Sequence, residues 1–96
     1  MEPAKNIKNL LTRHKSELMG RFPIEELAFF GSSARGDVNS NSDIDIMVVF
    51  NDKIGLKFID LAYELESILG KPVDLVSKNA IKPAYFEEIK KDLIYV

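Results

Sequence analysis

Two aspartates separated by one residue are the side chains of this sequence best suited to chemistry. Asp43 and Asp45 stand where a polar stretch gives way to an apolar, β-branched run that ends at Phe50. Residues i and i+2 of a strand point to the same face, about 6.5–7 Å apart. Two carboxylates there repel each other and lose hydration, so a compensating cation is expected. Oxygen ligands of this kind suit Mg²⁺, which combines one or two carboxylates with water and phosphate.

A Gly-Ser pair and a third aspartate extend this candidate site. Gly31 follows an apolar run and allows a ligand to approach the backbone, while Ser32 offers a hydroxyl before a predicted helical turn. Asp74 is the one charged residue of the sequence PVDLV, residues 72–76. If that strand lies parallel to the strand of Asp45, the three carboxylates meet. Two metal ions could then hold a triphosphate and flank the attacking oxygen and the reacting phosphorus.

Each of these features also has an ordinary structural explanation. A Gly-Ser pair is commonly a turn, D-x-D at a loop-to-strand junction is commonly a turn acid and a solvated acid, and Asp74 alone suits a strand edge. Arg35 suits either phosphate binding or an ion pair with Asp37 or Asp43, and we favour the ion pair. Four further side chains are expected to be packing or surface residues: His14, Lys53, Lys71 and Lys78. The combination and order of the motifs favour a nucleotide site.

Alternating helices and strands are predicted to position these residues. The predicted helices cover residues 3–20, 33–36, 54–69 and 83–92, and the predicted strands cover 27–30, 43–50 and 72–76. The apolar positions whose helical spacing predicts the third helix include Leu56 and Ile59. Residues 37–42 read as a loop, and residues 94–96 are expected to extend the last helix or pack as a tail.

The predicted connections define the fold class. A short link joins the first two strands, which are therefore expected to be antiparallel, whereas a helical crossover makes the second and third strands parallel. The prediction is one α/β (α+β) domain with a small mixed sheet of three or four strands flanked by helices.

Composition narrows the possible functions. The 96 residues are 46% hydrophobic with a net charge of −2, so one modest core is expected and direct nucleic-acid binding is not. No cysteine is present, which excludes disulfides and zinc–thiolate sites. No apolar run approaches the roughly 20 residues of a membrane span, and residues 1–10 lack the apolar centre of a signal peptide. We therefore expect a cytoplasmic protein with no membrane partner.

The segment GSSARGDVNSNSDIDIMV resembles the motifs of the DNA polymerase β-type nucleotidyltransferase superfamily. Length and spacing are similar to those of its minimal nucleotidyltransferases, the MNT or MntA-like antitoxins, over nearly the whole chain. The resemblance implies that Gly31 and Ser32 bind nucleotide, with Arg35 as a further candidate. It also implies that three aspartates are catalytic metal ligands, the last of them helping to activate the attacking hydroxyl: Asp43, Asp45 and Asp74.

The resemblance also implies a reaction and a partner. MNT proteins typically occur with a small helical HEPN partner, often a ribonuclease toxin, and can transfer AMP from ATP to its tyrosine. We therefore expect a protein adenylyltransferase that uses ATP and two Mg²⁺ ions, alone or as a homo- or hetero-oligomer. Two alternatives remain open: a non-catalytic antitoxin that neutralises its partner by stoichiometric binding, and the nucleotide-binding subunit of a small-molecule nucleotidyltransferase.

Overall fold

Helices and strands alternate along the chain in the predicted order. The computed structural model describes residues 3–36 and 43–96, so the predicted loop at 37–42 lies outside the described residues. The helices are α1 (Pro3–Arg21), α2 (Ser32–Arg35), α3 (Lys57–Leu69) and α4 (Pro83–Ile89), and the strands are β1 (Ile24–Phe30), β2 (Ile44–Phe50), β3 (Val73–Ser77) and β4 (Ile94–Tyr95). Short 3₁₀ helices at Lys78–Ala80 and Lys90–Asp92 flank α4. No helix in residues 3–36 and 43–96 combines the length and apolarity that a bilayer crossing requires.

The four strands form one mixed sheet in the order β3-β2-β1-β4. β1 and β2 are antiparallel, with Phe30 opposite Asp45, and β2 and β3 are parallel. Both relationships agree with the prediction. The fourth strand was expected to be a helix extension or a tail, but it pairs with β1 through Ala28 and Tyr95. The strongest predicted strand, β2, is therefore central, and β3 forms one edge.

Buried side chains cover both faces of the sheet. The larger cluster joins α1 and α3 to one face, where alternate residues of β2, such as Ile44 and Ile46, point inward. The smaller cluster covers the other face with α4, and Met47 and Ile89 belong to it. Because strand residues alternate between faces, Asp45 shares the face of Met47. Asp45 therefore emerges beside the smaller layer of packing.

Two details of the elements differ from what the apolar pattern alone suggests. Leu56 and Ile59 are 86% and 53% exposed and do not belong to the inward stripe of α3. That stripe is formed by Leu61 and Leu65, and at about 100° per residue position 59 falls on the opposite side of the helix. β1 begins at Ile24, three residues before the predicted start of the strand at residue 27, because a bulge between positions 24 and 26 keeps two consecutive glutamates exposed.

Candidate functional site

Asp45 and Asp74 are direct partners across the parallel pair β2–β3. Neighbouring strands lie about 4.8 Å apart, so this register brings two acidic residues level at the same end of the sheet. Asp43 precedes β2 by one residue and is exposed. The sequence placed the three aspartates together, and the structure gives that arrangement for Asp45 and Asp74, with Asp43 near enough to Asp45 to act on its charge.

The charge of Asp45 is destabilised by its surroundings. Burial raises the pKa of Asp45 above its ordinary value of 3.8, and the negative charges of Asp74 and Asp43 raise it further. Arg35 lies near enough to lower the pKa in part. A cation bound here would relieve the repulsion between the carboxylates. A carboxylate whose charge is stabilised in this way is suited to binding a metal ion.

Gly31 brings the backbone against the Asp45 carboxylate. Its φ of 75° and ψ of −152° belong to a region that is essentially restricted to glycine. A Cβ built at this position would overlap Asp45 Oδ2 and lie 3.4 Å from its Cγ. The Gly31 carbonyl accepts hydrogen bonds from the backbone N–H groups of Ala34 and Arg35 at 3.1 Å each, and Ser32 begins α2. The predicted phosphate-binding turn and the carboxylates therefore share one end of the sheet.

Arg35 is held by a residue that the sequence did not suggest. Its Nη1 donates to Asp92 Oδ2 at 3.0 Å, joining α2 to the 3₁₀ helix before β4. The predicted partners were Asp37, which lies outside the described residues, and Asp43. The ion pair itself agrees with the structural role that we favoured, and the nearby guanidinium of Arg35 also acts on Asp45.

A second unpredicted residue fixes the start of β3. The Glu66 carboxylate accepts a hydrogen bond from the backbone N–H of Val73 at 2.9 Å, so the end of α3 is tied to the residue before Asp74. On the other side, the N–H of Ile44 donates to the Pro72 carbonyl at 2.9 Å. These bonds hold β3 in register with β2. A glutamate near a helix end gives little sequence evidence of such a contact.

The carboxylates suit Mg²⁺ by their chemistry. Mg²⁺ commonly takes one or two carboxylates and fills its remaining positions with water and substrate phosphates, which matches a pair of level aspartates beside a candidate phosphate turn. Within the described ranges, no group of three or more acidic, histidine or cysteine side chains stands ready to enclose a metal ion. The assignment of all three aspartates as ligands therefore stays a prediction.

The other polar residues named from the sequence lie elsewhere. His14 is half-buried on α1, and its Nδ1 lies 3.8 Å from Glu17 Oε2. Lys53 and Lys71 are exposed, and the Lys78 ammonium lies 5.1 Å from the centroid of the Phe86 ring. These positions agree with packing and surface roles.

Sequence reasoning missed an apolar cavity on the outer side of β3. The cavity has a volume of about 530 Å³. It is lined by side chains of β3, α3, α4 and the segment between β3 and α4, namely Phe58, Leu75, Val76, Ser77, Ala80, Ile81, Lys82 and Tyr85. The apolar residues of β3 were visible in the sequence, but their proximity to Tyr85 depends on how α4 returns to the sheet.

Comparisons with known proteins cover most of the chain. A family model described as a nucleotidyltransferase domain matches residues 11–96. Protein adenylyltransferase MntA of Thermococcus cleftensis is 42% identical over 91 residues, which cover 94% of this chain and 92% of that protein. Every residue of the site described above falls within the region matched by the family model.

Solved structures give the same result for the fold. One solved structure, described as a minimal nucleotidyltransferase, is 31% identical to this chain and has a TM-score of 0.75. The match covers 92% of this chain and 93% of that chain. A toxin–antitoxin structure with AMP-PNP is 26% identical, with a TM-score of 0.68, and is matched over 96% of this chain and 70% of that chain. The mixed sheet and its flanking helices are therefore the nucleotidyltransferase fold.

Proposed function

This chain belongs to the nucleotidyltransferase family, and we propose that it is a Mg²⁺-dependent protein adenylyltransferase acting on a HEPN-type toxin. In this proposal it transfers AMP from ATP to a tyrosine hydroxyl of the toxin and so acts as its antitoxin. The observation that carries the proposal is the level pair Asp45 and Asp74 with Gly31 packed against the first of them. A relative named as a protein adenylyltransferase and a similar toxin–antitoxin structure with AMP-PNP support the choice of acceptor and nucleotide.

The proposed reaction is a single displacement at the α-phosphorus. The tyrosine oxygen attacks this phosphorus and forms a P–O bond, while the bond to the bridging oxygen of pyrophosphate breaks. The hydroxyl proton passes to the Asp74 carboxylate, and pyrophosphate leaves with its electron pair. Gly31 and Ser32 bind the departing phosphates, and Asp43, Asp45 and Asp74 are the proposed metal ligands. When bound, Mg²⁺ neutralises charge on the phosphate oxygens and orients the triphosphate.

The proposal accounts for the unfavourable charge arrangement of the site. An aspartate with a raised pKa beside two further carboxylates weakens the fold unless a ligand compensates. The metal-bound nucleotide supplies that compensation. In this proposal the chain contributes one cytoplasmic nucleotidyltransferase domain, and the acceptor comes from another protein.

Transfer of labelled phosphate tests the reaction directly. The partner is identified by its recovery with the tagged chain, produced again with the Asp45→Asn chain so that it carries no AMP, and incubated with the native chain, Mg²⁺ and ATP labelled at either the α- or the γ-phosphate. We expect the partner to acquire label from the α-phosphate alone, and we expect Asp45→Asn and Asp74→Asn each to reduce transfer at least about 100-fold. A partner that is inhibited without acquiring label would overturn AMP transfer.

One observation favours stoichiometric binding as the second candidate function. Leu56 at the N-cap of α3, and Ile59 and Tyr63 within α3, are 86%, 53% and 67% exposed and lie on one side of the helix. α3 covers the face of the sheet opposite Asp45. Neutralisation that survives Asp43→Ala combined with Asp45→Ala but fails in Leu56→Ser combined with Ile59→Ser would support the binding function. The opposite pattern would support the enzyme.

A further inference from the structure

The apolar cavity wraps around the edge of β3, the strand that carries Asp74, and is lined by Leu75 and Ser77 from one face of the strand and by Val76 from the other. Val76 lines the cavity and stands two residues after Asp74, so both residues point to the same side of β3. Same-face neighbours in a strand are about 6.5–7 Å apart. An extended molecule bound at Asp74 would have to span only this distance along β3 to reach the Val76 side of the cavity.

The order of strands indicates which reactant approaches from this side. Gly31 follows β1, Asp45 lies on central β2, and Asp74 lies on edge strand β3, so the three residues follow one another across the sheet. In phosphoryl transfer the attacking and leaving oxygens lie roughly in line on opposite sides of the phosphorus. If pyrophosphate leaves on the side of Gly31, the attacking oxygen approaches from the side of β3 and its cavity.

The cavity has the composition of a site for an apolar side chain. Of the described residues that line it, Lys82 alone carries a charge, and Ile81 and Tyr85 form part of its wall. Tyr85 is 48% exposed, so the cavity is accessible from solvent. β3 is an edge strand in the described sheet, and such an edge can accept an extended peptide whose side chains enter neighbouring pockets.

We propose that this cavity binds an apolar side chain of the acceptor protein, close in sequence to the tyrosine that receives AMP. The inference rests on the proposed function and adds a specificity site to it. Because side chains two residues apart share a face of an extended segment, the apolar residue lies about two to four residues from the tyrosine. Acceptor choice then depends on the local sequence around the hydroxyl.

Peptide binding observed by NMR tests the cavity without requiring catalysis. Short synthetic peptides in a Gly/Ser background carry one tyrosine and one leucine, placed at each distance up to about four residues from the tyrosine. Matched peptides carry serine instead of leucine. We expect the best leucine peptide to bind about tenfold more tightly than its serine counterpart and to shift the backbone amides of residues 75–77 and 80–85.

Two tyrosine variants provide a matched comparison. Tyr85→Ser removes an aromatic ring from the cavity, whereas Tyr95→Ser removes a ring that is 45% exposed on β4, at the opposite edge of the sheet. We expect the leucine preference to disappear in Tyr85→Ser and to persist in Tyr95→Ser. Equal binding of the two peptides by the native chain, or a preference that survives Tyr85→Ser, would overturn the inference.

Other occupants of the cavity would change the NMR chemical shifts of its backbone amides under different conditions. If AMP-PNP with Mg²⁺ shifts the cavity amides and the peptides do not, the cavity holds the nucleoside and the inference is wrong. Shifts that depend on protein concentration without peptide would place a second copy there, with the same consequence.

Transfer from α-labelled ATP to the same peptides separates this inference from the proposed function. Transfer without a leucine preference would support the reaction and overturn the cavity assignment. Leucine-dependent binding that is lost in Tyr85→Ser, without transfer to the peptides or the partner, would support the cavity and overturn the reaction.

Discussion

Gly31 and Asp45 are packed so closely that a methyl group on the glycine would overlap the aspartate carboxylate. The contact joins the turn after β1 to the central strand β2. It places a restricted backbone conformation beside a carboxylate whose pKa is raised. Backbone geometry and charge at this end of the sheet can therefore be tested separately by substitution.

Gly31→Ala should destabilise the fold more than Gly36→Ala. We expect Gly31→Ala to lower the free energy of unfolding by about 2–4 kcal/mol, because the backbone is strained and the Cβ overlaps Asp45. Gly36 has a φ of 81° and a ψ of 9°, and no atom of the described residues lies within 4 Å of a built Cβ, so its substitution should cost about 1 kcal/mol. Urea unfolding measures both, and equal losses would contradict the contact.

Asp45→Asn should stabilise the metal-free protein at neutral pH. The folded-state pKa of Asp45 lies above its ordinary value, so folding favours the protonated carboxyl. The contribution of this group to the free energy of unfolding is therefore present below about pH 3.8 and is lost as the pH rises through the folded pKa. We expect Asp45→Asn to raise Tm by about 2–4 °C at pH 7, with the difference vanishing in acid. Asp52→Asn is the control, since Asp52 is exposed and its Oδ1 accepts from the Lys53 N–H, which asparagine can also do. A constant difference at all pH values would exclude titration of Asp45 as the cause.

Mg²⁺ with AMP-PNP should raise Tm of the native chain through the same carboxylate. A ligand at about 100 times its Kd adds about 2.7 kcal/mol to the free energy of unfolding, which corresponds to a rise of about 10 °C or more. We expect Asp45→Asn to remove most of this rise, and chelation of Mg²⁺ to remove it from the native chain. Differential scanning fluorimetry measures the effect. An unchanged Tm at saturating nucleotide would mean that the acids do not form a shared site.

Arg35→Gln should raise the pKa of Asp45 further. The positive charge of the Arg35 guanidinium lowers the pKa of Asp45. Without it, burial and the two other aspartates, which all raise this pKa, act unopposed by that charge. Titration of the Asp45 carboxyl carbon by NMR in metal-free protein measures the change. Arg21→Gln is a matched control, because both arginine side chains are 50% exposed and Arg21 pairs with Glu64 instead. Equal titration curves in all three proteins would show that Arg35 does not act on Asp45.

Glu66→Ala should loosen the start of β3 with little effect elsewhere. The Val73 N–H would lose its carboxylate acceptor, at a cost of about 1–2 kcal/mol in the free energy of unfolding. Hydrogen exchange should accelerate most at Val73. Glu66→Gln keeps a carbonyl oxygen at the same position and should retain much of the protection. If the alanine and glutamine variants exchange equally fast at Val73, the hydrogen bond does not secure the strand.

The sheet core was predictable because its evidence is local. The apolar run of β2 and the helical crossover to β3 together indicate parallel neighbours, which places Asp74 level with Asp45. β4 has only two residues and is defined by its pairing with β1, so no local pattern reveals it. Hydrophobic periodicity cannot predict a short strand that is defined by its pairing with distant residues.

The side-chain contacts of the site were less predictable than its strands. Arg35 and Asp92 are 57 residues apart in the sequence, and their pairing depends on where β4 joins the sheet. The exposure of Leu56 follows from the true start of α3 at Lys57. Motif spacing thus identified the candidate acids, whereas the residues that support them required the folded structure.

The parallel register of β2 and β3 also limits which changes of chain length the protein can tolerate. A slip of one residue in β3 would turn Asp74 to the face now occupied by Leu75, against the larger apolar cluster. Insertions or deletions between the two strands are therefore harmless only if the intervening helix and turns absorb them without moving Val73. Members of this family that have insertions or deletions between β2 and β3 should have them away from the Glu66–Val73 hydrogen bond.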